Sequence, residues 1–257
     1  MKPAEAEAFL RATRRAGSLV EPFTDMHSEL DEMWGYETQA LDRTQRLQAG
    51  ESIIGAKLGL TSRAKQERMG VDRPIVGFLT KSMVVEASEV VGRLPTWAQP
   101  RIEPEIAFIT SHDIGWSFTV GDAHSHVESV LLAAEILDSR FADYRFRLPD
   151  VVADNTSAAG VVLGPERHPL IALPDLASLR CEVRIDGVLA HEATGEAILG
   201  APLESLALLA EHLTRHQQVL PAGSLVLAGA LTDASPLKIG HRYDLSIEHL
   251  GSLSIPL

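Results

Sequence analysis

Residues 101–108, Arg-Ile-Glu-Pro-Glu-Ile-Ala-Phe, carry two carboxylates, Glu103 and Glu105, two positions apart in a segment that otherwise reads as a β-strand. In a strand, side chains at i and i+2 share a face and stand roughly 7 Å apart along the chain. Carboxylates aimed the same way repel, so any fold of this chain must surround them with water, protonate them or bring a cation to them. Farther on, Glu135 interrupts the apolar run Val130-Leu-Leu-Ala-Ala-Glu-Ile-Leu137. On a helix this run is apolar nearly all round, which predicts a buried helix. A lone buried carboxylate costs several kcal/mol unless it is paired, neutralised or bound to metal. Three carboxylates from a strand and a helix suggest an all-oxygen site for a hard cation such as Mg²⁺. The same residues also allow a solvated strand face for Glu103 and Glu105, with an arginine partner for Glu135.

With 257 residues, 45% hydrophobic and 23% charged, the chain has the make-up of a globular protein. The length suits an N-terminal helical part over 1–50 and one compact catalytic mixed-sheet unit over 51–257. A formal net charge of −12 argues against a nucleic-acid or anionic-membrane surface. The single cysteine, Cys181, excludes an intramolecular disulfide and a cysteine-rich zinc site. The opening residues are acidic where a signal peptide needs an apolar core, and no apolar run approaches a membrane span, so a cytoplasmic protein is expected.

Residues 4–16 are rich in helix formers and end at Gly17. A second helix is expected from about Asp25 to Leu47, with Leu30, Met33, Ala40, Leu41 and Leu47 facing inward. Ser52–Leu60 is β-like and Thr61–Met69 reads as a short helix ended by Gly70. Pro74–Leu79 is an apolar loop or strand, and Met83-Val-Val-Glu-Ala is strand-like. Asp122 is the expected N-cap of a helix through His124 and His126. Beyond residue 148, short apolar segments alternate with turn signals, among them Asp186-Gly187 as a hairpin turn, and one helix begins at Pro202. The class is α+β, a helical N-terminal part on a mixed, largely antiparallel sheet system.

Lys57 lies in Gly55-Ala-Lys-Leu-Gly59, either as a cation aimed at an anionic ligand or as a snorkelling side chain at a strand end. On a helix, His124 and His126 would point about 200° apart and could not share a metal. Asp154-Asn-Thr-Ser157 reads as an Asx-type turn or as hydroxyls and amides presented to a substrate carboxylate, and Thr232 invites the same two readings. Dinucleotide, phosphate-loop and serine-hydrolase motifs are absent.

Five ordered blocks give these residues a context: Gly55-Ala-Lys-Leu-Gly-Leu-Thr-Ser62, Glu103-Pro-Glu-Ile-Ala-Phe108, Ala134-Glu-Ile-Leu-Asp-Ser-Arg140, Leu148-Pro-Asp-Val-Val-Ala-Asp-Asn-Thr-Ser157 and Leu227-Ala-Gly-Ala-Leu-Thr232. Together they resemble the 2-hydroxypentadienoate hydratase and 4-oxalocrotonate decarboxylase family of the fumarylacetoacetase-like superfamily, from about residue 50 onward. The resemblance implies a β-roll or sandwich of the fumarylacetoacetase C-terminal type. It also implies Glu103, Glu105 and Glu135 as Mg²⁺ or Mn²⁺ ligands, and Lys57 as the active-site cation. Hydratases of this family typically carry an acid/base Asp in a Pro-Asp-Phe-Gly block; this chain has Pro74-Ile-Val-Gly77, with Ile75 in its place. An apolar residue there keeps water away and suits loss of CO₂. The blocks at 60–65 and 138–140 also look like the decarboxylase branch.

On that branch the resemblance implies a 2-oxo-dicarboxylate substrate, 2-oxohex-3-enedioate, in aromatic meta-cleavage catabolism. Its far carboxylate would leave as CO₂ while Lys57 supports the charge that develops on the 2-oxo oxygen. Ser157 and Thr232 are candidates for holding the C1 carboxylate, and Arg63 for meeting the far one. The family also implies a homo-oligomer and a possible complex with a sister hydratase subunit. Other readings are a pentadienoate hydratase, an acylpyruvate hydrolase, for which no histidine base stands out, and a non-catalytic oxo-acid-binding partner subunit.

Overall fold

The computed structural model describes all 257 residues. Its helices are α1 (Pro3–Ala16), α2 (Glu32–Gln48), α3 (Arg63–Met69), α4 (Val90–Arg93), α5 (Val120–Ala123), α6 (Leu148–Ala153) and α7 (Pro202–Arg215). Its strands are β1 (Ile53–Gly59), β2 (Ile75–Thr80), β3 (Arg101–Thr110), β4 (Val127–Leu137), β5 (Ala158–Leu163), β6 (Arg180–Ile185), β7 (Val188–Thr194), β8 (Leu225–Ala230), β9 (Ser235–Pro236), β10 (Arg242–Ile247) and β11 (Gly251–Pro256).

The larger sheet runs β2-β1-β8-β3-β4-β5, with β9 beside β3, and the smaller one runs β11-β10-β6-β7. Only the β1–β8 pair is parallel, so the sheets are mixed and largely antiparallel, as expected. Just past β2, the Val85 N–H donates to the Val161 carbonyl of β5 at 2.9 Å, and Val84 bridges the same residue. The two edges of the larger sheet therefore approach each other and it curls into a roll. The β6–β7 hairpin turns at Asp186-Gly187, with φ of 53° and 81°, the left-handed pair that this dipeptide favours.

Strand alternation sorts residues between two cores. Ile102, Ile106 and Phe108 of β3, Leu132, Ala134 and Ile136 of β4, and Val226 and Ala228 of β8 face the main core, shared with the smaller sheet and α7. Ala107, Ile109, Leu131, Ala133, Leu225 and Leu227 turn the other way, to a second core inside the roll with Leu79, Met83, Ala158 and Val161. Ala56 and Leu58 of β1 belong to the main core, so Lys57 joins the inner face. Glu103, Glu105 and Glu135 have that parity too.

Val130–Leu137 thus corrects the helix expected there: it is the body of strand β4. Both faces of β4 are covered, and a strand buried on both sides loses the apolar–polar alternation that marks strands. The second helix also begins later than expected, at Glu32 after an Asp31 N-cap, and it turns a different face inward. Trp34, Gly35, Tyr36, Thr38 and Asp42 are buried, whereas Met33, Ala40 and Leu47 are exposed. Gly35 sets the rotation: a Cβ there would lie 2.9 Å from the Pro149 carbonyl oxygen and 3.0 Å from Val152 of α6. Met83–Ala87 forms a 3₁₀ turn and a single bridge rather than a strand. Thr119, not Asp122, caps α5, and His124 and His126 sit on a 3₁₀ turn after it. No helix is long and apolar enough to cross a membrane.

Candidate metal centre and active site

The antiparallel register of β3 and β4 sets Glu103 directly opposite Glu135, and Glu105 opposite Ala133. One oxygen from each of the three carboxylates lies within 4.8 Å of the others, the one convergence of three metal-ligating side chains in the molecule. Glu103 is 6% exposed, and Glu105 and Glu135 are fully buried, so the solvated-face reading fails. The cation beside Glu135 is a lysine rather than an arginine: Lys57 Nζ lies 3.0 Å from Glu135 Oε2 and donates to the Thr156 carbonyl at 3.3 Å. Glu105 Oε2 accepts the Gly229 N–H at 2.7 Å. Gly229 has φ +115°, and a side chain there would collide with Thr61.

The electrostatics leave a deficit of positive charge. Burial raises the pKa of Glu103 to about 7, opposed by Lys65 and reinforced by Glu135. Burial, then Glu135 and Glu103, pushes Glu105 well above the ordinary carboxylate range. For Lys57, burial alone would favour the neutral amine, but Glu135, Glu105 and Glu103 outweigh it and raise its pKa. Lys57 is therefore an ammonium at neutral pH. Three carboxylates and one ammonium sum to −3 + 1 = −2 when all are ionised. Glu105 Oε1 and Glu135 Oε1 are buried without a hydrogen-bond donor. Orphaned anionic oxygens in an all-oxygen cluster of that charge fit a hard divalent cation.

The turn that follows α6 forms the neighbouring wall. Asn155, Thr156 and Ser157 have φ of 49°, 53° and 61°, three left-handed residues in succession, one of them β-branched. Each such residue costs roughly 1–2 kcal/mol, so the turn must be held by its surroundings. The Asn155 side chain grips β2, accepting the Phe78 N–H at 2.9 Å and donating to the Phe78 carbonyl at 3.0 Å. Gly77 gives the room: a Cβ there would run into Thr156 Oγ1. The Thr156 and Ser157 hydroxyls are both buried and lack partners.

Ile75 is 3% exposed and pairs with Gly59, two residues from the Lys57–Gly77 pair. Its Cγ1 and Lys57 Nζ lie 3.1 Å and 3.8 Å from the position a Gly59 Cβ would take. Thr232 is half-buried and donates to the Asp233 carbonyl; its neighbour Leu231 donates to the Pro104 carbonyl at 3.0 Å, between the two β3 glutamates. Arg63, on α3, is exposed and makes no ion pair. Lys65, two residues on, is the α3 cation whose charge acts on Glu103. Sequence reasoning passed over Lys65, although it lies in a block already singled out. A surface concavity of about 730 Å³ between α2, α7 and the start of β1 reaches Ala56 and Gly77 and includes none of the three glutamates.

The family model described as fumarylacetoacetate (FAA) hydrolase C-terminal matches residues 52–257. A 4-oxalocrotonate decarboxylase of a Pseudomonas species is 39% identical over 218 residues, 85% of this chain and 84% of that protein. The 2-keto-4-pentenoate hydratase 2 of Dechloromonas aromatica is 35% identical over 99% of this chain and 97% of its own. Among solved structures, the 4-oxalocrotonate decarboxylase of Pseudomonas putida G7, complexed with magnesium and adipate, superposes with a TM-score of 0.92 at 28% identity, covering 99% of this chain and 96% of that one. With a family match across the whole sheet system and relatives of this identity over nearly their full length, the chain belongs to the fumarylacetoacetate hydrolase C-terminal family.

Proposed function

We propose that the chain is a carboxy-lyase that converts 2-oxohex-3-enedioate to 2-hydroxypenta-2,4-dienoate and CO₂. The observation that carries this choice over hydration is Ile75, an apolar side chain buried beside Lys57, at the position where the resemblance implies an Asp in hydratases. Without a group there to take a proton from water, addition of water lacks its base, whereas loss of CO₂ needs none.

Glu103, Glu105 and Glu135 would hold a divalent cation, Mg²⁺ or Mn²⁺. When bound, it supplies Lewis-acid polarisation of the 2-oxo group. The substrate's C5–C6 bond breaks, its electron pair moves through the C3–C4 double bond to the C2 oxygen, and CO₂ departs. The Lys57 ammonium, fixed between Glu135 and the Thr156 carbonyl, donates a hydrogen bond toward the oxygen on which negative charge develops. Because Lys57 stays charged, it acts as an electrostatic and proton-donating group rather than as a base. The unpartnered Ser157 hydroxyl is the donor for the C1 carboxylate, and Thr232 beside β3 would join it by releasing its bond to the Asp233 carbonyl. Ile75 keeps water from the carbanionic carbon. Arg63 or Lys65 on α3 would meet the far carboxylate; a tight pair there would stabilise the ground state and slow the reaction, so a loose contact is favoured.

Incubation with the enedioate and Mg²⁺ should accumulate the dienol and release CO₂ in equal amounts. Conversion of the dienoate to a 4-hydroxy-2-oxo acid, with the enedioate left untouched, would assign the chain to the hydratases, a reading favoured by relatives such as that of Dechloromonas aromatica. A homo-oligomer, and association with a hydratase subunit that takes up the dienol, belong to the same proposal and are read by analytical ultracentrifugation.

A further inference from the structure

The left-handed turn that receives Lys57 is anchored by a ladder of alternating charges. Asp138 accepts the N–H groups of Ala98 and Gln99 at 3.0 Å and 2.8 Å and pairs with Arg140 Nη1 at 3.1 Å. Asp154, the residue just before the turn, accepts the Arg140 N–H at 2.9 Å and its Nε–H at 3.3 Å. On its other side Asp154 meets Arg14 Nη2 of α1 at 3.5 Å, and Arg14 continues to Asp42 of α2 at 3.1 Å. The turn is tied back at its far end, where the Asp138 N–H donates to the Ser157 carbonyl at 2.9 Å. Asp138, Arg140 and Asp154 are at most 3% exposed.

This ladder has a defined mechanical consequence. A buried carboxylate whose one oxygen accepts two Arg140 N–H groups, and whose other faces the Arg14 guanidinium at 3.5 Å in an ion pair, has little freedom to rotate. Asp154 therefore fixes where the next three residues begin, and the left-handed turn that follows brings the Thr156 carbonyl to 3.3 Å from Lys57. We propose that Arg140 and Arg14, acting through Asp154, are positioning residues for Lys57, and that the N-terminal helix α1 thereby takes part in building the active site. This rests on the reading of Lys57 as the cation that faces substrate.

Arg14 is the member to test, because its side chain is 23% exposed and its removal leaves no sealed cavity. Arg14→Met is made alone and in a Lys57→Met background, with Arg14→Lys as the charge-retaining control. Turnover is measured together with the affinity of oxalate for the Mn²⁺-loaded protein. The expected result is about tenfold lower kcat with KM changed less than about twofold for Arg14→Met, partial recovery with Arg14→Lys, and less than about a twofold effect once Lys57 is Met. Affinity for oxalate, whose charged oxygens imitate the dienolate and not the 2-oxo substrate, should fall in the same pattern as kcat, which keeps the test independent of turnover. Equal losses in both backgrounds would mark Arg14 as merely structural and overturn the proposal, as would no loss in either. If the wild-type chain hydrates rather than decarboxylates, the same cycle is read on hydration, so failure of the reaction assignment and failure of the positioning role give different results.

Discussion

At the scale of single residues, Lys57, Ile75 and the three glutamates set the chemistry proposed for the site. Lys57→Met keeps the aliphatic stem and removes the ammonium; kcat should fall by about 10²–10³, the loss typical of removing one preorganised donor, measured as initial rates of CO₂ release. Ile75→Asp should lower CO₂ release by on the order of 100-fold, since a carboxylate beside the breaking bond both admits water and repels the substrate's own carboxylate. Calorimetry with Mn²⁺ should show no binding to Glu105→Gln. Glu135 was legible as a buried carboxylate because a charge inside an apolar run needs a reason, whereas Glu103, Glu105, Lys57 and Ile75 drew their candidate roles from the family resemblance. Lys65 and the Arg14–Asp154 contact were not legible. Each acts across space from an element distant in sequence, and neither leaves a periodicity or spacing to read. The hydroxyl of Thr156, buried and unpartnered over Gly77, was legible only as part of an ordinary-looking turn.

At the scale of elements, β4 is the instructive case. Its residues were identified as buried and as carrying a ligand, but assigned to a helix, because apolarity on all sides reports burial and not backbone geometry. The sheet register then supplies what no helix could, Glu135 face to face with Glu103. The buried Lys57–Glu135 pair spans β1 and β4. Lys57→Met takes the ammonium away from three buried carboxylates and should cost the metal-free protein about 3–5 kcal/mol, whereas Glu135→Leu leaves Lys57 facing Glu105 and Glu103, lowers the cluster's negative charge and should cost less. Urea unfolding of the two variants checks this. By contrast, the hairpin at Asp186-Gly187 and the short helix ended by Gly70 were read correctly, since each carries a local signal, a left-handed dipeptide and a glycine C-cap, and the strand read over 101–108 extends to Thr110. The inward face of α2 lacked one, because Gly35 and its close approach to α6 decide it.

At the scale of the whole molecule, the centre couples stability to pH and to metal. Glu103 has a folded pKa of about 7, above its unfolded value of 4.5, so it stabilises the metal-free fold only while protonated. That contribution is fully present below 4.5 and disappears as pH rises through 7, a loss of roughly 3 kcal/mol. Thermal unfolding of the chelated protein should therefore show a falling Tm between these limits, with Mg²⁺ restoring it at the upper end. Metal must displace this proton, and that of Glu105 where it is held, so Mn²⁺ should bind at least about tenfold more weakly at pH 6 than at pH 8. The most direct measurement for the account as a whole is the release of CO₂ from 2-oxohex-3-enedioate by the purified chain, with and without a chelator. The account predicts stoichiometric CO₂ that stops on chelation and returns with Mg²⁺ or Mn²⁺. Retained CO₂ release after complete removal of divalent metal, or none from the metal-loaded chain, would contradict it.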